Sequence, residues 1–109
     1  MKKKILFVCN QNRNRSKTAE ELFKGQYDTR SAGIYSNIVT KEQVEWADAI
    51  IVFENAQKRE LLSRFPKETC GKKIIDLAIP DIYDYNTPPL IAILKKAMNE
   101  TKTLRQLAN

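Results

Sequence analysis

Apolar runs that fit strands alternate with amphipathic stretches that fit helices. Ile5 to Val8 is an unbroken apolar run and reads as a buried strand. Ser16 to about Gly25 follows as a helix, with Ala19, Leu22 and Phe23 on one face and Gly25 as its stop. Tyr27 to Ala32, ending at Gly33, reads as a short second strand, and Ile34 to Val39 as a connection without strong pattern. Thr40 to Gln43 has capping-box form and opens a short helix carrying Val44 and Trp46, with Trp46 expected in the core. Ala49 to Phe53 is the second continuous apolar run and reads as a central parallel strand. Asn55 is expected to cap a helix whose Leu61, Leu62 and Phe65 face inward, closed by Pro66. Lys73 to Leu77 reads as a fourth strand, and Ala78 to Asn86 as a loop rich in acids and tyrosines. Thr87-Pro88-Pro89 starts the last helix, with Leu90, Ile91, Leu94, Ala97 and Met98 inward and Leu104 and Leu107 as an extension. This alternation predicts one α/β domain over residues 1–109. The expected architecture is a doubly wound four-stranded parallel sheet with helices on both faces and the flavodoxin-like strand order 2-1-3-4.

Such sheets bind ligands outside the carboxyl ends of their strands. The first of those ends carries Cys9-Asn10-Gln11-Asn12-Arg13-Asn14-Arg15-Ser16. A cysteine, five residues and an arginine on a strand-to-helix turn can wrap a tetrahedral oxyanion. Backbone N–H groups of Asn10 to Asn14 and the helix dipole converge on one spot. Cys9 lies at the base of that cradle, where the same positive field favours the thiolate. Arg15 can grip two oxygens and hold developing charge. The alternative is an ordinary buried cysteine beside solvated arginines.

Composition narrows the chemistry. The chain has no histidine and two cysteines, Cys9 and Cys70. Proton transfer therefore falls to Asp, Glu, Tyr, Lys or Cys, and neither a metal ligand set nor a disulfide framework is evident. No cofactor is implied. A net charge of +6 favours anionic substrates, but the basic residues are spread without interleaved aromatics, which argues against nucleic acid as the partner. The absence of a long apolar run or a signal-peptide pattern argues against membrane insertion and for a cytoplasmic address.

A thiolate attacking a phosphate ester needs an acid for the leaving oxygen and then a base for water. Asp76, Asp81 and Asp84 are candidates at the right edge; Asp76 belongs to the strand or its end, and spacing does not choose between the other two.

The chain resembles the low-molecular-weight protein tyrosine phosphatases at four places. Val8-Cys9 through Asn12 with Arg15-Ser16 is similar to their phosphate loop, and Ser31-Ala32-Gly33 to the end of their second strand. Thr40-Lys41-Glu42 through Asn55 resembles their helix and third strand, and Ile79-Pro80-Asp81 the run bearing the general acid. The resemblance implies Cys9 as nucleophile, Arg15 as phosphate ligand and Asp81 as acid, then base. It further implies that Ser16 donates to the thiolate and Asn12 braces the loop, while Tyr83 is placed to line the pocket and stack on an aryl ring. The implied activity is hydrolysis of phosphotyrosine in proteins, or of small aryl phosphates, through a cysteinyl-phosphate.

Departures from the family pattern bear on that expectation. Gln11 stands where the family has glycine, and is strained if the position needs a positive φ. Ile82 replaces proline after the acid, implying a more mobile loop, and Asn14 replaces a cysteine that can shelter the nucleophile. Cys70, preceding strand four, is expected at the opposite end of the sheet. Only six residues separate Gly33 from Thr40, which implies a shallower, more open pocket. Competing readings are a catalytically weak or inactive phosphate- or phosphopeptide-binding module, arsenate reduction and nucleic-acid binding. The sequence leaves the oligomeric state and the physiological substrate open.

Overall fold

A computed structural model describes residues 2–101. Its elements run β1 (Lys4–Cys9), α1 (Arg15–Phe23), β2 (Asp28–Gly33), α2 (Lys41–Trp46), β3 (Ala49–Val52), α3 (Asn55–Arg64), β4 (Lys73–Asp76) and α4 (Pro88–Glu100). The sheet is parallel throughout in the order β2-β1-β3-β4, as the alternation predicts.

Alternating side chains explain why helices cover both faces. Ile5, Phe7 and Cys9 of β1 and Ala49 and Ile51 of β3 share one core with Ala19 and Phe23 of α1 and Leu90, Leu94 and Met98 of α4. Leu6, Val8, Ile50 and Val52 turn the other way, onto Val44 of α2 and Leu61 of α3. Each fully buried side chain of this size contributes about 1.5–3 kcal/mol. β1 and β3, central and buried on both faces, therefore form a rigid base for the loops at their carboxyl ends.

Several local expectations are corrected. Leu62 points to solvent, because α3 has one covered face and Leu61 occupies it. Ile93 rather than Ile91 joins the inward stripe of α4, which steps 90, 93, 94, 97, 98 in alternating threes and ones as a 3.6-residue period requires. Glu54, not Asn55, is the N-cap of α3: the Oε1 of Gln57 accepts from the Glu54 N–H at 3.0 Å and the Phe53 N–H at 2.7 Å. Trp46 is half-buried, with one side against the core and the Arg30 guanidinium 4.2 Å from its ring centroid. Leu104 and Leu107 lie outside the described residues. Among the described residues, no helix is long and apolar enough to cross a membrane.

Candidate active site

The loop from Asn10 to Asn14 leaves β1 between β2 and β3 and enters α1 at Arg15, so Cys9 and Arg15 sit on the two ends of one turn. The Cys9 sulfur is buried and 2.9 Å from Ser16 Oγ. Asn12 Nδ2 donates to that same oxygen at 2.8 Å, so Ser16 Oγ joins Asn12 to the sulfur. Asn12 Oδ1 accepts in turn from Asn37 Nδ2. The side chains of Asn37, Asn12, Ser16 and Cys9 thus form one hydrogen-bonded chain that ends at the sulfur.

Asn12 takes the left-handed conformation, with φ 51°. Asparagine tolerates this region better than other non-glycine residues. Gln11 has no positive φ, so the strain that a positive φ at that position would cause does not arise.

Gly33, the last residue of β2, lies against the underside of the loop. A Cβ there would stand 2.9 Å from both Asn10 O and Asn12 N and would collide with Ser36 O. The short connection after it is a brace. Ile34 N–H donates to Cys9 O, Tyr35 N–H to Asn10 O, and Gly33 N–H to Asn37 O. Arg64 of α3 ties the same segment down through Ile34 O at 2.8 Å.

Arg15 is only 1% exposed. Its Nη1 donates to Glu54 Oε1 at 2.7 Å and to Ile79 O at 2.8 Å, and its guanidinium lies 5.7 Å from the Phe53 ring centroid. Among the described residues its buried Nε has no hydrogen-bond partner, and the nearest Asp81 oxygen stands 3.8 Å away, beyond hydrogen-bond length. A buried donor left unmade is costly, about 1–3 kcal/mol, and such a group beside a cavity is where a ligand oxygen gains most.

That cavity is small, about 70 Å³, and is lined by Cys9, Gln11, Arg13, Asn14, Arg15 and Asp81. Asp81 reaches it because Ala78 adopts φ 54°, an uncommon conformation for a residue with a Cβ, costing roughly 1–2 kcal/mol. Asp76 Oδ1 stabilises the bend by accepting from Ala78 N–H at 2.8 Å. The bend delivers Ile79 O to Arg15. Farther on, Asn86 N–H donates to Thr18 Oγ1 at 2.8 Å and Tyr85 OH to Glu21 at 2.6 Å, so the loop is moored to α1 beyond the acid.

Of the residues singled out from sequence, the cavity gathers Cys9, Gln11, Arg13, Asn14, Arg15 and Asp81. Asn12 and Ser16 lie behind it as supports, and the Asn10 side chain accepts from Gln57 Nε2 at 3.0 Å. Tyr83 is half-buried against the α1/α4 core and does not line the cavity. Asp84 does not line it either. Cys70 is exposed, on the turn before β4 at the far end of the sheet. Sequence reasoning missed three supporting side chains: Glu54, Gln57 and Asn37. For the first two, the position just past an apolar strand was the available signal.

No protein-family model matches the chain, and no curated protein sequence matches it significantly. Solved structures do. The YwlE arginine phosphatase from Geobacillus stearothermophilus is 23% identical, with 96% of this chain and 89% of that one covered and a TM-score of 0.63. The tyrosine phosphatase Wzb from Escherichia coli K30, solved with phosphate, is 18% identical over 98% of this chain and 99% of its own, with a TM-score of 0.74. A low-molecular-weight protein tyrosine phosphatase from T. tengcongensis is 21% identical over 97% and 95%, at 0.63. The chain has the fold of these phosphatases, and the last of them is from the family that the phosphate-loop residues resemble.

Proposed function

We propose that the protein is a cysteine-dependent phosphatase that hydrolyses phosphate monoesters, on phosphorylated proteins or small aryl phosphates, through a cysteinyl-phosphate. One observation carries this reading: a buried arginine whose Nε has no partner among the described residues shares a small cavity with a cysteine whose sulfur is hydrogen-bonded to Ser16 Oγ.

In the first step the Cys9 thiolate attacks phosphorus, forming the S–P bond as the P–O bond to the leaving group breaks. Asp81, at the cavity mouth, gives its proton to the departing oxygen. Arg15 and the loop N–H groups hold the charge on the equatorial oxygens. In the second step Asp81, now a carboxylate, takes a proton from water as that water attacks phosphorus. The S–P bond breaks, inorganic phosphate leaves, and the thiolate and the protonated acid are restored. Ser16 stabilises the sulfur as nucleophile and again as leaving group. A thiolate nucleophile suits a reducing compartment, which supports a cytoplasmic setting.

Hydrolysis of p-nitrophenyl phosphate by the intact protein, Cys9→Ser and Asp81→Asn tests the proposal. Turnover abolished in the first variant and strongly reduced in the second is expected. An intact protein that binds vanadate at Cys9 yet turns over no ester is instead a phosphate-binding module.

A further inference from the structure

We infer that Arg13 is the specificity-determining side chain of this site, selecting phosphomonoesters that carry a second anionic group beside the phosphoryl group. The inference rests on the phosphatase reading above and concerns which carriers are accepted. The cavity is small, at about 70 Å³. Sites that bury a whole small molecule run to about 300–1,000 Å³. A phosphoryl group enters this one and its carrier stays at the mouth. Among the described residues, no aromatic side chain lines the cavity itself, whose lining is polar and charged apart from Cys9. The choice falls to charge.

Among the described residues, three charged side chains line the cavity: Arg13, Arg15 and Asp81. Arg15 is committed to Glu54, to Ile79 O and to the phosphoryl oxygens, and Asp81 faces Arg15. Arg13 is exposed and, among the described residues, makes no ion pair or hydrogen bond. Its planar fork is therefore available to a carboxylate or a second phosphate on the carrier. A cation on the carrier meets like charge there. The chain's net charge of +6 draws anionic carriers from a distance with the same sign.

The test is a set of phosphotyrosine peptides with acidic, neutral or lysine-rich flanks. Turnover is measured with the intact protein, and binding with Cys9→Ala, which lacks the nucleophile. Acidic flanks are expected to exceed basic ones by roughly 3- to 30-fold at low salt, in KM and Kd rather than kcat. Arg13→Gln should bring the peptides within about twofold of one another, and Arg13→Glu should invert their order. Indifference to flanking charge in the intact protein overturns the inference. So does a loss in Arg13→Gln that falls equally on acidic and basic peptides, which marks a merely structural residue. If the intact protein turns over none of the substrates, the phosphatase reading fails, while the Cys9→Ala binding series still decides what Arg13 does.

Discussion

Replacing Glu54 with alanine removes the counter-charge of a buried arginine. Breaking a fully buried pair costs about 3–5 kcal/mol, because one charge is left without compensation. Here Arg15 is 1% exposed but the Glu54 side chain is 37% exposed, so water replaces part of what is lost. Exposed pairs contribute only about 0.2–1 kcal/mol. Ile79 O still accepts from the same Nη1. An intermediate loss of about 1–2 kcal/mol follows. For a domain near this size it lowers Tm by about 4–10 °C. A bound oxyanion supplies the missing negative charge, so saturating phosphate or vanadate should narrow the gap between variant and parent. Glu54→Gln keeps an acceptor and should lose about half as much. Thermal unfolding with and without phosphate, supported by urea titration, reads all three effects. A Glu54→Ala protein whose Tm stays within about 1 °C of the parent, or whose deficit phosphate leaves unchanged, would refute the reasoning.

Three further outcomes are expected. Gly33→Ala should cost about 1–3 kcal/mol in urea unfolding, because its Cβ meets the backbone at Asn10, Asn12 and Ser36, which must shift. Asn37→Gly keeps the φ of 48° accessible while deleting the amide that orients Asn12; kcat/KM for p-nitrophenyl phosphate should fall about fivefold with Tm nearly retained. The Glu21 carboxylate holds the Tyr85 hydroxyl above its ordinary value of 10.0. The contact is therefore complete below pH 10 and is lost as pH rises through the raised value. Limited proteolysis of the 79–86 loop should accelerate over that range in the parent, and Tyr85→Phe should be cut faster already at neutral pH.

The sheet and its order were legible because β1 and β3 are buried on both faces and so appear as continuous apolar runs. The phosphate loop was legible because its chemistry is contiguous: Cys9, Asn12, Arg15 and Ser16 fall within one turn. Asp81 was separated from Asp84 by resemblance rather than spacing; the positive φ at Ala78 that brings it to the cavity leaves no mark in an alanine. Glu54, Gln57 and Asn37 escaped notice because their partners lie 39, 47 and 25 residues away in sequence. Strand ends meet only after the sheet is assembled. The connection after β2 looked featureless for a related reason. Its work is done by backbone groups and one asparagine, neither of which makes a hydrophobic pattern.

Cys9 is expected to form a covalent bond to phosphorus during turnover. Rapid acid quench of the protein with p-nitrophenyl phosphate, followed by peptide mass spectrometry, measures it directly. One phosphoryl group on the Cys9 peptide is predicted, absent in Cys9→Ala and accumulating in Asp81→Asn if loss of the base slows the second step more than loss of the acid slows the first. Turnover with no adduct on Cys9, or turnover that survives Cys9→Ala, would contradict the account.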